Sequence, residues 1–130
     1  MKGSIIIALL LAVLLTAVSC ENVLDGEPEY EEAVAYVESF RVDTVAGPNV
    51  TLSFICMTPT PCWSFSRVEE VRSGRSAHFT LYRKLKRNVT CIQVIGSFTH
   101  TMQVTVQDTG AFTFKVYRTP TTTLDTTIVL

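Results

Sequence analysis

Four cysteines and two histidines are the residues of this chain whose types could do chemistry. Cys56, Cys62 and Cys91 lie in the body of the sequence, and His78 and His100 are separated from one another. A cysteine becomes a nucleophile only when a base or nearby positive charge converts its thiol to thiolate. A metal site needs His, Cys or carboxylate ligands at defined spacing. Neither pattern is present, so the sequence predicts no catalytic residue, no metal site and no cofactor.

The three body cysteines could instead form a disulfide if the protein is exported, because oxidising compartments permit such bonds. A Cys56–Cys62 bond would close the short loop 57–61. A Cys62–Cys91 bond would close a loop of about 30 residues, which the chain-entropy argument values at about 3–4 kcal/mol. The residue spacing leaves both pairings open, and either one leaves a thiol over.

The first twenty residues have the composition of an export signal. Lys2 gives a positive start, an apolar run extends from Ile5 to Val18, and small residues precede Cys20. The run is shorter than the ~20 residues that a transmembrane helix needs, so a secretory signal is favoured over a membrane-spanning anchor. We therefore predict a signal peptide over residues 1–19.

The end of this segment, Ala17-Val18-Ser19-Cys20, resembles the lipobox of bacterial lipoproteins. In that family the cysteine thiol receives a diacylglyceryl group and becomes the mature N-terminus. The resemblance implies a protein of the bacterial cell envelope, periplasmic or surface-exposed, held to a lipid bilayer through acylated Cys20. Ordinary cleavage near Ser19 is the alternative, and it would leave Cys20 as a plain thiol.

Charge is divided unevenly along the chain. The net charge of −1 and the 47% hydrophobic content describe a globular domain that does not bind nucleic acid through bulk charge. Residues 21–45 nevertheless contain eight acidic residues and one arginine, whereas residues 46–130 contain nine basic and four acidic residues. Because the acidic segment also contains Gly26 and Pro28, we predict a solvated tether over residues 20–33 and a folded domain over residues 34–130.

The folded domain has the alternation of short, half-buried strands. Apolar residues alternate with polar ones at 50–56, 77–81 and 112–116, and turn sequences such as Gly47-Pro48-Asn49 and Ser73-Gly74 separate the runs. The pattern predicts an all-β fold, an antiparallel immunoglobulin-like β-sandwich of seven to eight strands. A small β-barrel is the alternative.

Other segments have weaker strand patterns. The first is residues 34–42, in which one face is expected to carry Val34, Tyr36, Phe40 and Val42. The second is Cys62 to Val71, with Trp63 and Phe65 on one face, as core aromatics, and Val68 on the other. Residues 89–98 are predicted as a strand because they are rich in β-branched side chains, and residues 126–130 as an edge strand.

A cluster of four cations, Arg83, Lys84, Lys86 and Arg87, lies between two of these strands. Such a cluster is a candidate patch for an anionic partner: a lipid headgroup, an anionic glycan or an acidic protein. It could equally be a solvated connection between strands, whose charge discourages edge-to-edge pairing.

Pro59-Thr60-Pro61-Cys62, followed later by Cys91-Ile92-Gln93-Val94, resembles a family of small secreted bacterial β-sandwich proteins. Those proteins have a P-x-P-C segment on one strand and a C-x-Q-V segment on another, and the resemblance covers about residues 49–118. It implies a β-sandwich with a Cys62–Cys91 disulfide, which leaves Cys56 as a free, buried thiol. The family has no established activity, so the resemblance implies no function.

Three classes of function are compatible with these features. The favoured one is a non-enzymatic envelope lipoprotein with a role in binding or assembly, because export and anchoring are encoded whereas catalytic patterns are absent. The second is an exported inhibitor, for example of proteases, that presents the loop from Pro59 to Pro61, since prolines reduce the entropy lost on binding. The third is an enzyme that uses Cys56 or a histidine.

Overall fold

The computed structural model describes residues 29–107 and 109–130. They form eight strands: β1 (Tyr30–Ala35), β2 (Val37–Ala46), β3 (Asn49–Thr58), β4 (Ser64–Ser73), β5 (Ser76–Lys86), β6 (Gly96–Thr105), β7 (Ala111–Tyr117) and β8 (Thr123–Val129). No helix long and apolar enough to span a bilayer occurs within these residues. The predicted signal peptide, Cys20 and the first part of the predicted tether lie outside them.

The eight strands form two sheets. In the three-stranded sheet β3 lies between β2 and β6, and in the five-stranded sheet β5 is central. One edge of β5 pairs with β4, while its other edge is shared by β1, opposite residues 81–86, and β7, opposite residues 76–79. Within the described residues no strand of one sheet pairs through its backbone with a strand of the other. The predicted sandwich is therefore confirmed, and the barrel alternative is wrong.

One strand pair departs from the predicted antiparallel arrangement. β5 and β7 run parallel, whereas the other pairs among the described strands are antiparallel. The reason is the path of the chain: after β5 it enters the other sheet as β6, running back, and then returns to the first sheet as β7. Two reversals of direction make β7 parallel to β5, as a crossover between sheets allows and a hairpin does not.

The core lies between the two sheets and is filled by the alternating residues of β3, β5 and β7. The side chains that the alternation in these three strands predicts to be buried are buried, namely Val50, Leu52, Phe54, Cys56, Ala77, Phe79, Leu81, Phe112, Phe114 and Val116. A line of aromatic rings crosses it: the ring centroids of Phe54 and Phe79, from opposite sheets, are 6.0 Å apart, and those of Phe79 and Phe114 are 6.1 Å apart. This aromatic contact joins the sheets.

The N-terminal boundary of the domain differs from the prediction. Because β1 pairs with β5 from Tyr30 onward, residues 30–33, predicted as tether, belong to a strand. The chain then leaves the five-stranded sheet at Tyr36 and joins the three-stranded sheet as β2. Ala35 and Val37 on either side of this crossing are buried, not Val34 and Tyr36. The prediction assumed one strand, in which alternate side chains point to the core. Because the chain passes from one sheet to the other at Tyr36, a different set of side chains points to the core.

The beginning of β4 also differs from the prediction. Cys62 and Trp63 precede the strand, and a bulge between Phe65 and Arg67 shifts the pairing with β5. Because a bulge adds one residue, it reverses the side to which the following residues point. Phe65 accordingly contacts Phe98 of the opposite sheet, and Val68 packs against the same core, so the predicted placement of Val68 on the other face is wrong.

Candidate functional site

Apart from Cys56, which lies in the core, the predicted site residues of the folded domain lie at one end of the sandwich, which we call the disulfide end. It consists of residues 29–31, 57–64 and 83–96. Here β3 connects to β4, β5 connects to β6, and the chain enters β1 beside the last residues of β5. The disulfide end therefore combines two loops and the N-terminal side of the domain.

A disulfide between Cys62 and Cys91 joins the two loops, with 6.1 Å between the Cα atoms. The pairing implied by the family resemblance is thus confirmed, and the Cys56–Cys62 alternative is wrong. The reason is the direction of the side chains: Cys56 lies on β3 and points into the core, away from the loop that follows it.

Cys56 is a free thiol in the core. It lies between Val37 of β2 and Phe98 of β6, which are its partners across the sheet. Burial raises the pKa of this thiol to about 12, against the opposing effect of the Arg83 charge. A thiol that stays neutral at physiological pH is a poor nucleophile, so the geometry favours a packing role for Cys56.

The raised pKa of Cys56 predicts a loss of stability in alkali. An unfolded thiol ionises from its ordinary pKa near 9.0, whereas the folded thiol holds its proton to about 12, so stability is full below pH 9 and is lost as the pH rises toward 12. Between pH 8 and pH 10 the native protein should lose about 1.4 kcal/mol more of its free energy of unfolding than a Cys56→Ala variant. Urea denaturation at the two pH values measures the difference, and equal losses in both proteins would contradict the account.

Arg83 points toward the interior of the sandwich, on the same side of β5 as Leu81. Its guanidinium carbon lies 4.5 Å from the centre of the Trp63 ring, a cation–π contact. Trp63, predicted as a core aromatic, is only half-buried. One face of the indole is therefore occupied by a residue of the same chain.

The other three basic residues are placed differently from Arg83. Lys84 and Lys86 point to the outer face of the sheet, since neighbouring side chains of a strand alternate. Lys84 lies over the ring of Tyr30, and Lys86 forms an ion pair with Glu29 at 3.4 Å. The predicted basic connection is thus mostly strand, and Arg83, Lys84, Lys86 and Arg87 do not form one continuous patch.

The outer face of the five-stranded sheet carries a network of charged side chains that was not predicted from the sequence. Glu32 of β1 accepts hydrogen bonds from Ser66 and Arg67 of β4, at 2.6 and 3.0 Å, and Arg67 also bonds Glu69 and stacks on Tyr82. These bonds lower the pKa of Glu32 and of Glu69. The network links β1 to β4 across β5 and so fixes the first strand of the domain. No local sequence pattern indicates this network, because its residues come from three separate strands.

The segment between β3 and β4, proposed above as an inhibitory loop, folds back against β6. The hydroxyl of Thr58 donates to the carbonyl of Thr60 at 2.7 Å, and Thr60 is itself buried. Only Pro59 and Pro61 of this segment are well exposed. The geometry does not present the extended segment that a protease would engage.

Gly96 allows this close packing. A Cβ atom at position 96 would lie 2.5 Å from the Cα of Pro61 and 2.8 Å from the hydroxyl of Thr58. We expect Gly96→Ala to push the two segments apart and lower the free energy of unfolding by about 1–3 kcal/mol. Chemical denaturation checks this, with the exposed neighbour Ser97→Ala as the control; equal, small effects of both would contradict the close contact.

The segment 87–95 between β5 and β6 is a loop, not the strand predicted over residues 89–98. Its β-branched residues are exposed: Val89 by 50%, Ile92 by 69%, Val94 by 53% and Ile95 by 74%. Cys91, in the middle, is half-buried and held by the disulfide. β-branched composition alone predicted a strand, but nothing in that composition says whether a partner strand is within reach.

The two histidines do not meet. His78 lies on the outer face of β5, with its ring centroid 4.4 Å from that of Tyr117, and His100 of β6 stacks on Phe65 at 3.7 Å. Burial lowers the pKa of His100. Across the described part of the chain, no group of three or more His, Cys, Asp or Glu side chains is arranged to hold a metal ion.

Comparison with known proteins gives one result. No curated protein and no solved structure matches the sequence. The sequence profile of the ORF11 beta-sandwich domain matches residues 52–126, more than half of the chain. The matched region runs from β3 into β8 and contains Cys56, the disulfide and both loops of the disulfide end. The chain therefore belongs to the ORF11 beta-sandwich domain family.

Proposed function

We propose that this protein is a lipoprotein of the bacterial cell envelope, acylated on Cys20, whose β-sandwich serves in binding or assembly and not in catalysis. The observation that carries the proposal is the disulfide between Cys62 and Cys91. Stable disulfides are typical of exported proteins and rare in the cytosol. The bond thus agrees with the export signal that the first twenty residues predict.

The start of the folded domain lies close to Cys20 along the chain, which limits how far an anchored domain could be from the membrane. Only residues 21–28 separate Cys20 from Glu29, where the described structure begins. At most about 3.3–3.6 Å per residue, nine steps of chain reach no further than about 30 Å. An acyl group on Cys20 would thus keep the disulfide end within about 30 Å of the membrane.

A non-enzymatic role is supported by the state of the reactive side chains. The thiol of Cys56 is buried and neutral. His78 and His100 lie on different sheets, and each packs against an aromatic ring. The folded loop from Pro59 to Pro61 gives no support to the inhibitor alternative. Binding or assembly by a rigid, disulfide-linked surface is what the arrangement favours.

The lipid anchor is tested by labelling cells with radioactive palmitate and separating membrane from soluble fractions. We expect the native protein to be labelled and to sediment with membranes, and a Cys20→Ala variant to lose the label. A Cys56→Ala variant is the matched control and should remain labelled and membrane-bound. Label retained by Cys20→Ala, or a native protein that takes up no label, would contradict acylation at Cys20.

A further inference from the structure

Exposed hydrophobic side chains are concentrated at the disulfide end. Six of the ten large hydrophobic residues that are well exposed in the described structure lie there: Tyr30, Met57, Val89, Ile92, Val94 and Ile95. Four of them belong to the loop 87–95. Single exposed apolar residues are common on proteins, but a cluster this dense marks a contact surface.

The disulfide determines how these side chains are presented. Cys91 is half-buried, while the residues on both sides of it in the loop are exposed. Because Cys91 is bonded to Cys62, the middle of the loop is fixed to the body of the domain. The aliphatic side chains of Ile92, Val94 and Ile95 are therefore held outward on a constrained backbone, which reduces the entropy that binding would cost.

Basic side chains lie just before the exposed aliphatic residues of the loop. Of the cations at the disulfide end, Arg83 is turned inward beside Trp63, whereas Lys86 and Arg87 are exposed at the start of the loop, with Glu29 as the ion-pair partner of Lys86. Lys86 and Arg87 directly precede the exposed aliphatic residues. Aliphatic side chains beside lysine and arginine are the combination that partitions into the headgroup region of anionic membranes.

The path of the chain places the same end toward the membrane. Tyr30 lies opposite Lys86 across the β1–β5 pair, and the amide of Arg87 donates to the carbonyl of Glu29 at 2.9 Å. The polypeptide that leads back to Cys20 therefore leaves the domain beside the loop 87–95. The turn of Gly74 and Arg75, at the far end of β5, points away from it.

We propose that the loop 87–95 lies against the lipid bilayer, with the side chains of Val89, Ile92, Val94 and Ile95 at the boundary between headgroups and acyl chains. This inference rests on the proposed anchor at Cys20 and adds a second contact to it. The loop fixes the orientation of the sandwich, so that the turn at Gly74 and the end of the C-terminal strand at Val129 face away from the membrane.

Tryptophan fluorescence tests the orientation in the full chain, which has a single native tryptophan. In a Trp63→Phe background, one variant has Ile92→Trp and the other Val71→Trp, an exposed position three residues from the far turn. Each protein is extracted from membranes and reconstituted into vesicles of phosphatidylethanolamine and phosphatidylglycerol with brominated acyl chains. Burial of about 5–10 Å into the interface should quench Ile92→Trp at least about twofold more than Val71→Trp and shift its emission to the blue.

Flotation of the same vesicles separates the two proposals. Protein that floats with the vesicles, with Ile92→Trp selectively quenched, supports the inference. Protein that floats with both tryptophans equally quenched, or with Ile92→Trp open to aqueous iodide, overturns the loop contact and leaves the anchor standing; the loop would then be the surface for a protein partner. Protein that stays out of the vesicles contradicts the anchor, and the loop contact falls with it.

Discussion

Replacing Phe54 with alanine should lower the free energy of unfolding by about 3–5 kcal/mol, the cost of deleting a buried aromatic ring from a core that closes only partly around the gap. Phe54 is fully buried, stacks on Phe40 of the neighbouring strand at 5.1 Å and meets Phe79 of the opposite sheet at 6.0 Å. The substitution thus removes contacts within one sheet and between the two. Since small domains have a free energy of unfolding of only about 5–15 kcal/mol, the substitution should remove a large fraction of the stability of the native fold.

Urea denaturation followed by circular dichroism measures this effect. Val71→Ala is the control, because Val71 is an aliphatic strand residue that is 67% exposed. We expect it to change the free energy of unfolding by less than about 0.5 kcal/mol. A Phe54 variant as mildly affected as the Val71 variant would mean that the aromatic contact between the sheets does not hold the sandwich together.

Removing the disulfide should have an effect of similar size. A Cys62→Ser/Cys91→Ser variant frees a loop of 29 residues in the unfolded chain. The chain-entropy argument gives a loss of about 3–4 kcal/mol in the free energy of unfolding. The loss should also release the segment 87–95 from the segment 57–64, so that proteolysis begins at the disulfide end.

Reduction provides the matched comparison for this variant. Dithiothreitol should lower the free energy of unfolding of the native protein to that of the double variant and leave the double variant unchanged. A Cys56→Ala protein should respond to the reductant as the native protein does. Equal stability of the native protein with and without reductant, in spite of complete reduction, would show that the bond is not a structural constraint.

The buried faces of β3, β5 and β7 could be predicted from the sequence because each of these strands stays in one sheet throughout. In such a strand the side chains alternate strictly between core and surface, so residues such as Leu52, Phe79 and Phe114 are recognised by spacing alone. The turns at Gly47 and Gly74, both with positive φ, were equally local.

The N-terminal strands could not be predicted in this way. The chain changes sheet at Tyr36, and β2 has register shifts after Val37 and after Val42. Each shift moves the following residues to the opposite face. A sequence pattern records the order of polar and apolar residues, but it does not record the positions at which the pairing partner changes.

At the disulfide end, too, the sequence pattern did not indicate which segments pair with a neighbouring strand. The sequence identified the residues Cys62 and Cys91 and the neighbouring cations, yet it assigned the cations to a connection and the residues 89–95 to a strand. The structure reverses both assignments, because β5 is central and stays paired through Lys86, while the next segment has no partner strand among the described residues. Which segment is paired depends on contacts between residues distant in sequence, and these decide which apolar residues remain exposed.

The central claim, an acylated and disulfide-linked domain of the cell envelope, is tested most directly by the intact mass of the native protein extracted from membranes. The account predicts a polypeptide that begins at Cys20 and carries a diacylglyceryl group, with the two hydrogens of one disulfide missing. After denaturation without reductant, one cysteine, Cys56, should react with iodoacetamide. A polypeptide without acyl groups, or one with three alkylated cysteines, would contradict the account.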